Sequence, residues 1–263
     1  MTNILTEICA YKQDIIIRDQ KSLSLKQVKE QVLNLANKSN FTKSILHQIA
    51  ENKPAIIAEI KQRSPSQGLL KETINVAEIA NSYKNGGACC LSVLTDEKYF
   101  QGSNEYIKIA KENSALPILR KDFIIDEYQI YQAKYIGADA ILLIMSCLSK
   151  AQAKEYEELA NSLGLDVLVE SYNEEELINS LSLKTRLIGI NNRNLKTLAT
   201  SLDNIKNLKK HLPEDKILIC ESGINSFADY QTLRSFGLNS FLIGGYLMKQ
   251  NNISIALEEL INN

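Results

Sequence analysis

From residue 54 onward, short apolar runs rich in β-branched residues alternate with longer stretches whose apolar positions recur at helical spacing, and the alternation continues to the end of the chain. Eight runs read as strands: Ala55–Ile60, Cys89–Leu94, Pro117–Arg120, Ala140–Ile144, Asp166–Glu170, Leu187–Asn191, Ile217–Glu221 and Ser240–Ile243. Helices are predicted over Val76–Lys84, Asn104–Glu112, Glu127–Ile136, Lys150–Leu163, Asn173–Leu181, Leu202–His211, Ser226–Phe236 and Ile253–Ile261. Gly86-Gly87, Gly137, Gly164 and Gly237 stand where a left-handed residue ends a helix. Ser226 suits a helix N-cap, as does Asn173 with Glu176 three residues on.

Eight strand–helix units with right-handed crossovers close most simply into a (β/α)8 TIM barrel, an α/β fold; a long open doubly wound sheet is the alternative. A dinucleotide-binding open sheet needs a Gly-x-Gly-x-x-Gly turn after its first strand. The turn from Lys61 to Gly68 contains no such pattern, which weakens that alternative. Residues 1–50 carry helical patterns near Leu5–Asp19, Leu25–Leu35 and Phe41–Ala50 and read as an N-terminal helical extension packed on the barrel. No Pro/Gly/Ser-rich linker separates them from the rest, so residues 1–263 are expected to form a single domain.

Composition narrows the chemistry. The 263 residues are 44% hydrophobic, enough for one large core, and 30 basic against 31 acidic residues leave a net charge of -1. Such a chain has no global positive field for nucleic acid or an anionic membrane, so any anion must be bound locally. Apolar stretches such as Ile141 to Met145 are far too short to span a bilayer, and the start of the chain lacks a secretory signal, which together predict a cytoplasmic protein. Of the five cysteines, Cys89 and Cys90 are adjacent in an apolar run where strand geometry would turn them to opposite faces; reduced, buried thiols are expected. With only His47 and His211 and no paired cysteine spacing, no metal site is expected, and proton transfer falls to lysines and carboxylates.

In such a barrel the active site lies at the C-terminal ends of the strands. Alternation puts Glu59 and Lys61 on one face at the end of the first strand, and Lys121 with Phe123 on one face at the end of the third. Glu170 ends the fifth strand, Asn191 the sixth and Glu221-Ser222-Gly223 the seventh. Each alone reads equally as a surface group or an ion pair closing the core. Convergence of Glu59, Lys61, Lys121 and Glu170 from three strands favours an acid–base site, because desolvating four charges is costly. Ser222, Gly223, Gly244 and Gly245 in the last two loops suit a phosphate, as glycine lets backbone N–H groups approach closely. Ser64 to Gly68 open a long loop suited to a lid or clamp. Tyr128, Tyr131 and Tyr135 share a helix face and read as packing, and Glu174 to Glu176 as a solvated helix start.

Several segments together make the chain resemble the indole-3-glycerol phosphate synthase family. They are Ile57 to Lys61 with Ser64-Pro65-Ser66, Ser92 to Asp96 with Phe100 and Gly102, and Leu119 to Phe123 with Asp126 and Gln129. Gly137 to Leu143, Leu168-Val169-Glu170, Ile188 to Arg193 and Glu221 to Ile224 continue the match from Ala55 to Met248. The resemblance implies conversion of 1-(2-carboxyphenylamino)-1-deoxyribulose 5-phosphate to indole-3-glycerol phosphate with loss of carbon dioxide and water, and no cofactor. It implies Lys121 as the acid for ring closure and Glu170 as the base in dehydration, with Lys61 or Lys121 as the acid there. By the same resemblance Glu59 orients a lysine, Asn191 and Arg193 hold substrate hydroxyls or link loops, and Phe100 and Phe123 form an apolar pocket for the carboxylate-bearing ring. Ser64, Glu221 and Ser222 are implied to bind substrate, and Lys61, Ser222, Gly223, Gly244 and Gly245 its phosphate.

Two departures stand out. Gly245 occupies a position where the family commonly has serine, a loss worth about 1 kcal/mol of binding if a hydroxyl donor is missing there. Tyr172 stands where histidine is frequent, in a loop with no expected catalytic part. The alternatives are another phosphosugar-handling barrel, such as phosphoribosyl-anthranilate isomerase, or a barrel that binds a phosphorylated ligand without turnover. The first needs a Cys–Asp pair at strand ends, whereas Cys9 precedes the barrel; the second predicts loss of a charged strand-end residue, and all four are present. The partner is then a small phosphorylated molecule. The sequence does not set the oligomeric state, and a monomer suffices.

Overall fold

A computed structural model of the chain describes residues 4–35 and 39–262. The first three residues, on which the expectation about a leader bears, lie outside them. Eight parallel strands close into a barrel: β1 (Ala55–Ile60), β2 (Cys90–Leu94), β3 (Ile118–Lys121), β4 (Ala140–Ile144), β5 (Asp166–Ser171), β6 (Leu187–Asn191), β7 (Ile217–Glu221) and β8 (Ser240–Ile243). β1 closes the ring by pairing with both β2 and β8, with Glu59 beside Ser92 and Ala58 beside Ile243. The open-sheet alternative is thereby excluded.

Strand alternation divides the apolar residues into two cores. Inward residues such as Ile57, Leu119, Leu142, Leu168, Leu187 and Ile219 fill the barrel, while Ile56, Val93, Ile141, Val169 and Ile190 face out and pack under the helices. Both faces are therefore apolar, which is why the strands read as continuous hydrophobic runs. Strand limits move by one residue at β2, β3 and β5. Cys89 falls just outside β2, so Cys89 and Cys90 do not take opposite faces; both thiols sit in the inner cluster. Ser226 and Asn173 cap their helices as expected, Ser226 reciprocally with Asp229. Of the Gly86-Gly87 pair, only Gly87 is left-handed (φ 90°); Gly86 instead allows the backbone of Ser254 to pass close by.

The N-terminal extension contributes α1 (Ile4–Ser22), α2 (Leu25–Val32) and α3 (Phe41–Ala50). α3 plugs the end of the barrel where strands begin: Phe41 and Ile45 are fully buried in the inner cluster with Ala55 and Cys90. Ser39 Oγ and the Thr42 amide both donate to Asp166, the first residue of β5. α1 lies over the opposite end, burying Leu5 and Ile8 in the inner cluster. α2 packs with Ile16 of α1 against Tyr128, while Tyr131 lies under the Lys29 ammonium. Tyr135 is exposed, so only the first two tyrosines of that face serve packing.

One charged contact holds α1 in place. Lys12, 3% exposed, sets its Nζ 2.9 Å from Asp96 Oδ2 and 2.7 Å from Asp122 Oδ1. Burial works against the ammonium, but the two aspartates outweigh it and raise its pKa. Asp122 also accepts from Thr95 Oγ1 at 2.7 Å and pairs with Arg120 Nη2, which donates to Gln132 Oε1 as well, while Arg120 Nη1 reaches the Gln129 carbonyl. Lys12 thus joins α1 to the ends of β2 and β3, one residue from Lys121. Replacing Lys12 with Met leaves buried carboxylates short of a counter-charge and is expected to lower unfolding free energy by about 3 kcal/mol. Urea unfolding checks this, and a change within measurement error would contradict it.

Candidate active site

At the mouth covered by α1, the inward residues at the ends of five strands, β1, β3, β5, β6 and β7, are polar. Glu59 and Lys61 come from β1 and the residue after it, Lys121 from β3, Glu170 from β5, Asn191 from β6 and Glu221 from β7. All line one cavity, with about 1080 Å³ of free space counting its solvent-open mouth. Arg120, between two inward residues, points outward into the Lys12 network, so alternation separates the structural arginine from Lys121.

Lys121 is the hub. Its Nζ lies 2.8 Å from Glu170 Oε2 and 2.6 Å from Glu221 Oε2. Burial opposes the ammonium, yet Glu170, Glu221 and then Glu59 hold its pKa above the ordinary lysine value. One ammonium does not neutralise two buried carboxylates, and the two divide accordingly. Burial, reinforced by repulsion from Glu170, pushes the Glu221 carboxyl up to about 8, against the pull of Lys121. Glu170 is also penalised by burial, but Lys121 and a hydrogen bond from Asn191 Nδ2 (3.0 Å) keep its pKa below the usual value. Glu221 Oε1 has no hydrogen-bond partner among the described residues and fills the space a side chain at Gly189 would need. The Asn191 amide is fixed in turn, its Oδ1 accepting from the Arg193 backbone at 2.9 Å.

The second lysine forms a simpler pair, Lys61 Nζ lying 2.6 Å from Glu59 Oε1. Glu59 is held from behind by Tyr83, whose hydroxyl donates to the Glu59 carbonyl at 2.9 Å. Its carboxylate packs where a side chain on Gly244 would sit, so the Glu59–Lys61 pair abuts the last loop. Ser222 (φ 61°) and Gly223 (φ 91°) are successive left-handed residues lining the same side, with Gly244 and Gly245 beside them. Arg193 is half-buried on the rim; burial lowers its pKa, with Glu59 acting in the opposite sense. Phe100, on a short helix (Glu97–Phe100) capped by Asp96, meets Phe123 with ring centroids 6.2 Å apart. Every residue singled out by sequence therefore lines this cavity, Ser64 included. Ser64 is turned to its own loop, where its Oγ accepts from the Gln67 amide. That loop is a hairpin of Arg63–Ser64 with Gly68–Leu69, too short to show any alternation in sequence.

Other lining residues were not foreseen. Ile4, Leu5 and Ile8 of α1 supply an apolar roof, and Leu142 and Ile144 of β4 an apolar wall. The β4 pair was legible from alternation; the roof depends on helix docking, which no local pattern encodes. Gln67 was read only as part of the loop from Ser64 to Gly68, suited to a lid or clamp, with no contact of its own. The Gln67 carboxamide occupies the space beside Gly245 that a side chain there would enter, and a side chain at that position would only displace this flexible end; Gln67 Nε2 donates to Asn225 Oδ1 at 3.3 Å. Tyr172 does not line the cavity; its backbone is bound by Glu176 and Asn204. Glu176 is accordingly more than a solvated helix start, since it also accepts from Ser146 Oγ.

The fold is that of a (β/α)8 barrel enzyme with paired ammonium and carboxylate groups at the strand C-termini. Among solved structures, KGPDC from Streptococcus mutans superposes with a TM-score of 0.60 at 14% identity, over 79% of this chain and 95% of that one. N-acetylmannosamine-6-phosphate 2-epimerase from Clostridium perfringens gives 0.57 at 15%, over 79% and 93%. These likenesses concern fold alone. The sequence matches indole-3-glycerol phosphate synthase over residues 5–260. Curated relatives of that description include one from Polaromonas sp. strain JS666, 46% identical over 99% of this chain and 98% of its own length. Another, from Azospirillum brasilense, is 42% identical over 99% and 100%. The chain belongs to the indole-3-glycerol phosphate synthase family, carboxy-lyases of tryptophan biosynthesis that act on a phosphorylated small molecule. Among the described residues no helix is long and apolar enough to cross a membrane.

The split between the two carboxylates has a measurable consequence. The folded chain keeps a proton on Glu221 up to about pH 8, whereas an ordinary glutamate releases it near 4.5. Folded protein then binds more protons than unfolded across that window, so this group's contribution to stability falls as pH rises from 4.5 to about 8. Carbonyl-stretch difference infrared spectroscopy is expected to show one carboxyl titrating near the upper value, absent from Glu221→Gln. A variant spectrum identical to wild type would contradict it.

Proposed function

We propose that the cavity under α1 is where the family reaction takes place, with 1-(2-carboxyphenylamino)-1-deoxyribulose 5-phosphate as substrate. The observation that carries this reading is the Lys121 ammonium held 2.8 Å and 2.6 Å from carboxyl groups of two other strands. As the aromatic carbon attacks the ketone, negative charge develops on its oxygen. A fixed ammonium stabilises that charge and passes it a proton, because an alkoxide is far more basic than a lysine amine. The raised pKa of Lys121 is no obstacle, since it guarantees the charged form at the start. Phe100, Phe123, Leu142 and Ile144 give the carboxylated ring a low-dielectric wall, and a carboxylate brought there leaves more readily as carbon dioxide.

Dehydration needs a base and an acid on one intermediate. Glu170 is the base: its lowered pKa keeps it ionised, and Asn191 orients it. Lys61 is the acid for the departing hydroxyl. In support, its ammonium is independent of the one used in ring closure and, among the described residues, is paired only to Glu59. Glu59, Arg193 and Ser64 orient the substrate, and Glu221 holds Lys121 in place. Phosphate is received by Lys61 with the backbone of Ser222, Gly223, Gly244 and Gly245, aided by Gln67. No step calls for a cofactor. One copy of the chain furnishes the whole cavity lining, which supports action as a monomer, and the docking of α1 and α3 into the inner core supports one domain over residues 1–263. Unpaired buried Cys89, Cys90 and Cys220 support a cytoplasmic location.

Fluorescence of the indole product follows turnover directly. Lys121→Ala is expected to lower kcat about 10³-fold with the fold intact by circular dichroism. Undiminished turnover would remove Lys121 from the mechanism. Gln67→Ala is expected to raise KM about fivefold at unchanged kcat, the loss of one hydrogen bond; a fall in kcat alone would contradict a phosphate-binding part.

A further inference from the structure

Two cysteines distant in sequence meet beside the cavity mouth. Cys9 Sγ on α1 lies 3.6 Å from Cys147 Sγ, in the 3-10 turn Met145–Cys147 that follows β4. Cys9 packs against the inner cluster on the same helix as Leu5 and Ile8, which roof the cavity, without lining the cavity itself. Cys147 directly follows the β4 wall that ends in Ile144. Both cysteines are part-buried, unlike Cys89, Cys90 and Cys220.

We propose that Cys9 and Cys147 are a peroxide-oxidisable dithiol site whose closure as a disulfide ties α1 across the mouth and slows turnover. The two sulfurs need to approach by about 1.5 Å to reach bonding distance, within the reach of side-chain rotation and a slight shift of α1. Their environments divide the roles. Contact with Cys147 lowers the pKa of Cys9 despite burial, while contact with Cys9, burial and the charges of Glu170 and Glu176 push Cys147 up. Cys9 is therefore the attacking thiolate. It breaks the O–O bond of hydrogen peroxide, taking one oxygen to become a sulfenic acid and releasing hydroxide, which is protonated to water. The Cys147 sulfur then attacks the Cys9 sulfur; the S–S bond forms, the S–O bond breaks, and the Cys147 proton leaves with the oxygen as a second water. Two thiols are oxidised by two electrons, and one peroxide is reduced to two waters.

The consequence for turnover rests on the reading of the cavity as the active site. Ile4, Leu5 and Ile8 line it, so α1 forms part of the wall that a substrate in the cavity would meet. A covalent tie at Cys9 restricts the helix at the point where it roofs the cavity. Opening and closing steps of this kind commonly set kcat.

The full-length protein, reduced and then treated with one equivalent of hydrogen peroxide, provides the test. Intact mass and peptide mapping are expected to show loss of two hydrogens, about 2 Da, with the Cys9 and Cys147 peptides joined within one chain. Neither Cys9→Ser nor Cys147→Ser forms the link, and both keep the turnover of the reduced protein. The oxidised wild type is expected to turn over on the order of tenfold more slowly, with full recovery in dithiothreitol. No mass loss, a link through another cysteine or between chains, or a link that leaves turnover unchanged would overturn the proposal. A reduced protein that makes no product counts instead against the cavity as active site, and the mass readout still decides whether the pair closes.

Discussion

The Lys121 ammonium, shared by Glu170 and Glu221, is the contact on which the site depends. The Lys121 ammonium of β3 and the carboxyl groups of Glu170 on β5 and Glu221 on β7 meet within 2.8 Å, in surroundings where an unpaired charge would be strongly destabilising. Such a meeting requires a closed barrel, because only closure and stagger bring the inward ends of alternate strands together. It also requires room. Gly189 on the intervening strand β6 leaves space for the Glu221 carboxyl, and Asn191, two residues further on the same face, steadies Glu170.

The N-terminal extension makes this arrangement part of a larger unit. α3 seals the barrel at the strand N-termini, and α1 roofs the catalytic end while its Lys12 is bound to Asp96 and Asp122. Because Asp122 follows Lys121 and its Oδ1 also accepts from the Phe123 amide at 2.8 Å, the position of α1 bears on both residues. Arg120 and Lys121 thus occupy opposite faces of one short segment, Arg120 outward in the Lys12 network and Lys121 inward in the cavity. A helix that looks like an appendage in sequence is joined to the site through a single buried ammonium.

Strand alternation accounts for what could be read from sequence. Period two tells which side chain of a strand faces inward, and so Glu59, Lys61, Lys121, Glu170, Asn191 and Glu221 were legible as a set before any contact was known. The limits of β3 and β5 were off by a residue because polar residues at a strand end look the same inside or outside the ladder. Lys12, Gln67 and the Cys9–Cys147 contact were not legible. Each depends on where a helix or loop docks in three dimensions: Lys12 reads as one more polar position on an amphipathic helix, and Cys9 and Cys147 are separated by 138 residues. The Gly245 departure was visible in sequence, but its meaning was not, since the residue occupying the vacated space comes from the loop after β1.

The near-zero net charge of the chain is consistent with a doubly anionic substrate because the positive charge is local. Lys61, Lys121 and Arg193 face the cavity, and Glu221 holds a proton, so fewer negative charges oppose the ligand than the count of carboxylates suggests. The claim most in need of a direct test is that Lys121 addresses the reacting oxygen. A crystal structure with a substrate analogue whose ketone is reduced to a hydroxyl, and which cannot cyclise, decides it. The account predicts that oxygen within hydrogen-bond distance of Lys121 Nζ, with the phosphate against Ser222, Gly223, Gly244 and Gly245; the oxygen on Lys61, with Lys121 still closed on both glutamates, would contradict it.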